Sequence, residues 1–341
     1  MNIGSFDTNK EVMIVAEIGN NHEGSYALAE EMIYKAAQAG ADAVKFQTLR
    51  ADSIVSRSDT KRYEQLKSFE LTFDEFTRLS ETANKAGLIF FSTPFDLESV
   101  RFLNSIVPAF KIASGDNTFY PLIAEISETG KPIIMSTGLS AFDQIVSTKN
   151  FIEQIWNKNG IQQEMALLHC VASYPVPLDQ TNLRAIGNLK AEFNCVVGYS
   201  DHTVGIEAAV LSVALGARII EKHFTLDKNF SDFADHRLSA DPTELSELVR
   251  RVRQALMQMG DGSIDVMDCE KAAVQKLRRS IVASRDLTPG SRISSEDITW
   301  VRPGGGLPPG SEQEILNKIL NEPIRQGQMM EIHNVCENVR R

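Results

Sequence analysis

The sequence predicts an α/β fold, a (β/α)₈ TIM barrel followed by a small β-rich domain. From residue 12 to about residue 260, one unit recurs eight times: a short apolar run, a polar turn and a segment with helical periodicity. Apolar runs without polar alternation indicate strands buried on both faces, and helices between them indicate a parallel sheet. Eight such units in roughly 250 residues match the usual size of a closed barrel.

The predicted strands are continuous apolar runs at residues 12–18, 43–48, 88–93, 109–114, 132–137, 166–171, 196–200 and 218–224. Helical periodicity is clearest at residues 26–38, 73–85, 206–215 and 242–259. The first two of these helices end before Gly40 and Gly87, because glycine readily adopts the left-handed conformation that ends many helices. A doubly wound open sheet is the alternative, but no GxGxxG turn follows the first strand.

The pattern changes after Gly260, where a polar, mixed segment begins. We predict a barrel domain at residues 1–262, a linker at 263–277 and a β domain at 278–341, the last from its short strands and its prolines and glycines. A core of about 60 residues is marginal alone. We therefore expect this domain to pack against the barrel or a second subunit.

Composition restricts the partners and the compartment. The formal net charge of −10 argues against nucleic acid, which requires basic surfaces, but not against a small anionic substrate. The four cysteines are scattered without a CxxC pair, which predicts a reducing, cytoplasmic compartment. We expect no signal peptide and no membrane span, because residues 208–220, the longest apolar stretch, contain Ser212, Gly216 and Arg218.

Polar residues stand at the C-terminal ends of the predicted strands, where barrels hold their catalytic groups. The seventh strand leads to His202, and the eighth carries Glu221 and His223 on one face with Lys222 on the other. The imidazoles of His202 and His223 are therefore expected to converge. Two neutral imidazoles with open positions suit Mn²⁺, Co²⁺ or Zn²⁺. The alternative is that each histidine only bonds a loop carbonyl.

Two carboxylates, Glu17 and Asp235, are candidates to complete a metal shell or to handle protons. Lys45 and Lys111 lie inside the apolar strands VKFQT and FKIAS, where an ammonium without a partner is costly. With nearby hydroxyls the lysines can bind phosphate and carboxylate; those hydroxyls belong to Thr93, Ser114, Ser136 and Ser200. The alternatives for the lysines are a salt bridge at the barrel mouth and a Schiff-base nucleophile.

Three further histidines are less informative. His22, in the loop after the first strand, either closes over a substrate or caps a turn. His169 lies inside the sixth strand and is predicted to be a core histidine with a satisfied ring. His333 lies in the small domain and receives no role.

Several segments occur in one order along the chain: AEIGNNHEGS, ADAVKFQT, FFSTPFD, FKIASGD, PIIMSTGL, GYSDHT and IEKHFT. Together they resemble the sialic acid synthase family, which includes N-acetylneuraminate, legionaminate and pseudaminate synthases. The segments RRSIVASRDL and ISSEDITWVRPGGGL resemble the antifreeze-like SAF domain that follows the barrel in that family.

The resemblance implies a transferase that condenses phosphoenolpyruvate with an N-acylated amino sugar, such as N-acetylmannosamine or a 2,4-diacetamido hexose. The products would be a nonulosonic acid and phosphate. It implies a divalent metal on His202 and His223, normally Mn²⁺ with Mg²⁺ or Co²⁺ as alternatives, and Glu17 as a group that handles water or protons. The rivals are a Schiff-base pyruvate aldolase on Lys45 or Lys111 and a non-catalytic binding protein.

The resemblance also assigns binding residues. The phosphoenolpyruvate contacts would be Lys45, Thr93, Lys111, Ser114, Ser136 and Ser200. The residues around the sugar would be Gln47, Tyr174, Glu221 and Asp235. Arg302 matches an SAF-domain arginine that reaches the active site of the other subunit in a domain-swapped homodimer.

Three departures from the family pattern touch the sugar pocket. Ala172 stands where some sialic acid synthases have asparagine, and residues 50–69 show no counterpart of a sugar-binding asparagine. Phe233 and Ala234 replace a proline-glycine pair. The acceptor sugar therefore stays open, although the phosphoenolpyruvate side matches throughout.

Overall fold

The computed structural model describes residues 1–337, and the chain divides into two compact units. The first unit spans Met1–Gly260, and the second begins at Asp261. The segment predicted as a linker contains a helix, Asp268–Leu277, with no buried side chain among its described residues. Residues 338–341 of the predicted C-terminal domain lie outside the described part of the chain.

The strands are β1 Asn2–Ile3, β2 Phe6–Asp7, β3 Met13–Gly19, β4 Ala43–Thr48, β5 Ile89–Pro94, β6 Phe110–Ile112, β7 Ile133–Ser136, β8 Met165–Cys170, β9 Val196–Asp201, β10 Ile219–His223, β11 Ser280–Ala283, β12 Ile298–Val301, β13 Ile319–Leu320 and β14 Val335–Cys336. The helices are α1 Tyr26–Ala39, α2 Ala51–Ile54, α3 Thr60–Phe69, α4 Phe73–Lys85, α5 Leu97–Leu103, α6 Tyr120–Glu128, α7 Phe142–Asn159, α8 Arg184–Glu192, α9 Glu207–Ala214, α10 Ala234–Leu238, α11 Pro242–Met259 and α12 Asp268–Leu277.

Within the described residues, eight parallel strands build the barrel, in the hydrogen-bonded order β5-β4-β3-β10-β9-β8-β7-β6. The two ends of that order, β5 and β6, lie next to each other, so the sheet forms a nearly closed barrel. The predicted barrel is confirmed, with strand ends that differ by a few residues. The apolar runs identified these strands because both of their faces are buried, one by the barrel interior and one by the helices.

The inward face of the strands changes character along the barrel axis. Near the N-terminal ends it is apolar: Met13, Ala43 and Ile219 share a core cluster with Met1 and Ile3 of the β1–β2 hairpin. Nearer the C-terminal ends the same face carries polar side chains, such as Glu17, which lies two positions beyond inward-facing Val15. The lower half of the interior is thus a packed core and the upper half is a polar cavity.

The helices are fixed to the barrel by end contacts that follow from their sequences. The Ser25 hydroxyl caps α1 by accepting from the Leu28 amide, and Gly40 ends this helix at φ 88°. On α11, Arg253 donates two hydrogen bonds to the Asp42 carboxylate, at 2.7 and 2.8 Å, and a third to the carbonyl of Val12. These bonds hold the last barrel helix against the beginnings of β3 and β4.

The second unit is small and β-rich, as predicted. It pairs β11 with β12 and β13 with β14, both antiparallel. Its core is one, mainly aliphatic, cluster that includes Ile281, Ile298 and Leu320. No helix in the described part of the chain is long and apolar enough to cross a bilayer.

Gly198 on β9 tests the close packing of the barrel. An added Cβ would lie 2.4 Å from the Ile219 carbonyl oxygen and 2.5 Å from the Leu168 side chain. We expect Gly198→Ala to lower the free energy of unfolding by about 1–3 kcal/mol. Gly187→Ala on α8, where a Cβ meets nothing within 4 Å, should raise it by about 0.5–1 kcal/mol. Urea unfolding followed by circular dichroism measures both, and equal midpoints would contradict the steric argument.

Candidate active site

A cavity of about 700 Å³ opens at the C-terminal ends of the barrel strands. It brings together every predicted site residue of the first unit: Glu17, Lys45, Gln47, Thr93, Lys111, Ser114, Ser136, Tyr174, Ser200, His202, Glu221, His223 and Asp235. Arg302, the remaining one, is exposed and directly follows β12 in the second unit. Its role in another subunit stays a prediction.

Two lysines and two carboxylates form a buried charge network on the cavity floor. Lys45 Nζ lies 2.9 Å from Glu17 Oε2 and 3.6 Å from Glu221 Oε2, while Lys111 Nζ lies 3.8 Å from Glu221 Oε1. All four side chains are at most 7% exposed. The parallel register places Glu17 opposite Lys45, so the sheet itself creates this ion pair.

Hydroxyl groups extend the network. Lys45 Nζ donates to Thr93 Oγ1 at 3.1 Å, and Lys111 Nζ donates to Ser136 Oγ at 2.7 Å. Ser200 Oγ donates to Glu221 Oε1 at 2.9 Å. Cationic and hydroxyl donors therefore face one space, which is the arrangement that binds phosphate and carboxylate oxygens.

The two carboxyls of the network, Glu17 and Glu221, differ in pKa. Burial raises the pKa of Glu17 to about 7, a shift that Lys45 opposes and Glu221 supports. Burial also acts to raise the pKa of Glu221, but the charges of Lys111 and Lys45 outweigh it and hold that pKa below its usual value. Glu17 is therefore the carboxyl of the pair that more readily carries a proton.

The pKa values of the two lysines are shifted in opposite directions. Burial acts to lower the pKa of Lys45, but the neighbouring Glu17 and Glu221 outweigh burial and raise it. Burial lowers the pKa of Lys111 despite the opposing charge of Glu221. Lys45 is thus a firmly charged cation, whereas Lys111 loses its proton more easily.

His202 and His223 converge in the same cavity, and the strand register places His223 opposite Glu17 of the network. Their ring centroids are 5.2 Å apart at an interplanar angle of 63°, and Tyr174 stacks on His202 at 4.3 Å. His202 Nδ1 lies 2.9 Å from the carbonyl oxygen of Val171. Because a carbonyl only accepts, Nδ1 carries a hydrogen, and in the neutral ring Nε2 keeps its lone pair. The loop-carbonyl contact and a ligand role for His202 are thus compatible.

A metal ion at this site would have two protein ligands, His202 and His223. No group of three or more His, Cys, Asp or Glu side chains among residues 1–337 is arranged to hold a metal ion. His223 Nδ1 is buried without a hydrogen-bonding partner in that range and lies 3.6 Å from Asp235 Oδ2. The carbonyl that orients His202 is the usual support of a metal-binding imidazole. The pair therefore suits a metal with two protein ligands, leaving the other positions to water or substrate.

Several residues of the cavity wall were not predicted. Cys170 follows inward-facing Leu168 by two positions, so strand periodicity could have identified it. Its Sγ lies 3.7 Å from His202 Nδ1. Lys61, Arg62 and Gln65 also line the cavity from α3. No strand-end rule points to them, because a helix in the long loop after β4 carries them.

The other histidines have structural partners. His22 is 1% exposed and its Nδ1 accepts from the Gly24 amide at 3.0 Å, so it caps a turn. His169 Nε2 lies 2.9 Å from the carbonyl oxygen of Thr181, as expected of a satisfied core histidine. Lys222 faces away from the barrel interior and donates to the buried Asp201 carboxylate at 3.0 Å, next to His202.

Models of two known families match parts of this chain. The model of the NeuB family matches residues 32–264, well over half of the chain. The chain belongs to the NeuB family. The model of the SAF domain matches residues 278–330, within the second unit. The predicted relationship to sialic acid synthases and the predicted domain order are therefore confirmed.

Relatives within this family are synthases of several related acids. The chain is 38% identical to N,N′-diacetyllegionaminic acid synthase of Legionella pneumophila, over 92% of each chain. It is 37% identical to pseudaminic acid synthase of Campylobacter jejuni, over 96% of this chain and 97% of the relative. The crystal structure of N-acetylneuraminic acid synthetase from Leptospira borgpetersenii, in complex with citrate, matches 80% of this chain and 94% of its own, at 34% identity and a TM-score of 0.74.

Asp116 provides a pH test close to the cavity, in the 3₁₀ turn Ser114–Asp116 after β6. Burial raises its pKa to about 6. A raised carboxyl pKa means that the folded state binds the proton more tightly, so stability falls as pH rises from about 4 through 6. We expect Asp116→Asn to be more stable than the wild type by about 1 kcal/mol at pH 8, a value reduced for partial exposure. The gain should vanish below pH 4 in urea titrations, and a gain that persists there would refute this origin.

Proposed function

We propose that this NeuB-family enzyme condenses phosphoenolpyruvate with an open-chain N-acylated amino sugar to give a nonulosonic acid and phosphate. The observation that supports it most is a single cavity that holds two buried lysines, several hydroxyls and two converging histidines. This arrangement offers an anion site next to a site for a carbonyl oxygen. The named relatives make acids of this class.

In this proposal, Lys45 and Lys111, with the hydroxyls of Thr93, Ser114, Ser136 and Ser200, bind the phosphate and carboxylate of phosphoenolpyruvate. Two lysines and two ionised carboxylates would cancel each other's charge. Protonation of Glu17, whose pKa burial raises to about 7, leaves net positive charge for the anion. Glu17 therefore links substrate binding to the position of one proton.

His202 and His223 would hold a divalent metal, Mn²⁺ in the first place, with Mg²⁺ or Co²⁺ as alternatives. When bound, such a metal supplies Lewis-acid polarisation of the sugar aldehyde. The hydroxyl groups of the sugar would be bound by Gln47, Tyr174, Glu221 and Asp235. Gln47 already donates to Glu17 at 3.1 Å, which holds its side chain next to the buried charge network.

C3 of phosphoenolpyruvate forms a carbon–carbon bond with the aldehyde carbon, and the aldehyde oxygen takes up a proton. Water adds to C2, and phosphate leaves as its bond to C2 breaks. The proton that Glu17 carries goes to the aldehyde oxygen, and the resulting carboxylate, 2.9 Å from Lys45 Nζ, is then placed to accept the proton of the attacking water.

The assembly and compartment are part of the same proposal. We place Arg302 at the cavity of a second subunit in a domain-swapped homodimer, following the family resemblance. We also place the protein in the cytoplasm, because Cys170, Cys195 and Cys269 are free thiols.

Turnover gives the main test. Phosphoenolpyruvate, Mn²⁺ and a mixture of 2-acetamido and 2,4-diacetamido hexoses should yield phosphate and a nonulosonic acid, identified by mass spectrometry. EDTA should abolish turnover and Mn²⁺ restore it.

His223→Ala should lose bound metal and lower kcat by more than about 100-fold, with an unchanged circular dichroism spectrum. The matched control is His333→Ala, which removes a histidine that is 68% exposed in the second unit. This variant should keep its bound metal and its kcat. Full activity of the metal-free enzyme would exclude the metal.

A Schiff-base pyruvate aldolase is the second candidate, and the lowered pKa of Lys111 is the observation that favours it. Under the condensation proposal, pyruvate and borohydride leave no covalent adduct on Lys111. Lys111→Met instead raises the KM for phosphoenolpyruvate and leaves the KM for the sugar unchanged. A stoichiometric pyruvate adduct that disappears in Lys111→Met would replace the condensation mechanism.

A further inference from the structure

Asp235 depends on support from outside its own helix. It lies on α10, a helix of only five residues, and a single turn has little stability of its own. Its side chain nevertheless lines the cavity, with Oδ2 3.6 Å from His223 Nδ1. Other parts of the structure must therefore hold α10 in place.

One support comes from His236, the next residue, which is completely buried. Its Nε2 lies 3.2 Å from Glu23 Oε1, and its Nδ1 lies 2.7 Å from Thr225 Oγ1. Burial lowers the pKa of His236 although Glu23 acts in the opposite direction. A neutral ring with its hydrogen on Nε2 donates to Glu23, while Nδ1 contacts the Thr225 hydroxyl, which also donates to the carbonyl oxygen of Asp227 at 3.1 Å. Ser231 Oγ also donates to Glu23 and accepts from the Phe233 amide, which holds the segment before α10.

A second support reaches the C-terminal end of α10 from the loop after β3, which also carries Glu23. Asn21 Nδ2 donates to the carbonyl oxygen of Phe224 at 2.9 Å and to Ser239 Oγ at 3.0 Å. Ser239 Oγ in turn donates to the carbonyl oxygen of Asp235 at 2.6 Å. The loop after β3 thus holds α10 through Glu23 on one side and Asn21 on the other.

Glu23 and His236 do not line the cavity, whereas Asp235 does. Asp235, the residue directly before His236, is the link between this pair and the cavity that the contacts of α10 favour. We propose that Glu23 and His236 are positioning residues that hold Asp235 beside His223, against the acceptor sugar. Their effect on turnover rests on the proposed function, whereas their effect on the location of Asp235 is a property of the fold.

The expected kinetic effect falls on one substrate. His236→Leu removes both ring contacts and should lower kcat/KM for the acceptor sugar by about 10–100-fold, as loss of a supporting hydrogen bond typically does. The KM for phosphoenolpyruvate should stay within about 2-fold, because the lysines on β4 and β6 keep their own partners. His236→Gln, which retains an N–H donor toward Glu23, should recover most of the loss. Equal losses for both substrates would overturn the assignment.

A matched control removes a hydrogen bond far from the cavity. Thr82→Val deletes the donor to Glu30, a bond of 3.1 Å between α4 and α1, and should leave both KM values and kcat unchanged. If His236→Leu does not fold, Glu23→Gln tests the same contact with a side chain of equal size.

A double-mutant cycle tests whether the effect passes through Asp235. In the Asp235→Asn background, His236→Leu should cause no further loss of kcat/KM, because the group that it positions has already been changed. Multiplicative losses would mean that His236 acts by another route and would overturn the proposal.

Crystal structures of the wild type and of His236→Leu give a readout that does not depend on activity. Asp235 should move away from His223 in the variant. An unchanged position, 3.6 Å from His223 Nδ1, would refute positioning even if turnover fell. If the wild type turns over no N-acyl hexosamine with phosphoenolpyruvate, the proposed function fails, and this structural comparison still decides the role of His236.

Discussion

The structure depends on the burial of four charges inside the barrel. Glu17, Lys45, Lys111 and Glu221 come from β3, β4, β6 and β10, and each is almost inaccessible to solvent. A buried charge is tolerated only beside a partner, so these strands must keep their register for the charges to cancel. The same cancellation leaves the floor of the cavity sensitive to a single proton on Glu17. The requirement of the fold and the chemistry of the site are therefore one constraint.

Along each strand the two tasks are separated by position. The inward residues of the lower barrel, such as Met13 and Ile219, form a dry core that the β1–β2 hairpin completes. The inward residues two or four positions later, such as Glu17 and His223, face the cavity. Stability comes from the first set, so the second can remain polar and buried.

The strands and most of the cavity were predictable because both follow local rules. Doubly buried strands leave apolar runs, and barrels place their polar residues at the ends of those runs, which identified Lys45, His202 and His223. Cys170, at the end of β8, follows the same rule. The α3 wall with Arg62 was not predictable, since its contact with the cavity depends on the path of a long loop. The helix α12 lies in the segment predicted as a linker, although Cys269, Ala273 and Leu277 recur there at helical spacing.

The sequence by itself determined the barrel, the domain order and the family, because these are written in periodicity and in ordered motifs. Only the tertiary structure decided how the charged residues pair and how each pKa responds, since pairing depends on register between strands far apart in the chain. It also decided that His22 caps a turn while His236 supports Asp235. Both are buried histidines near the cavity, and only the atoms around each ring distinguish their roles.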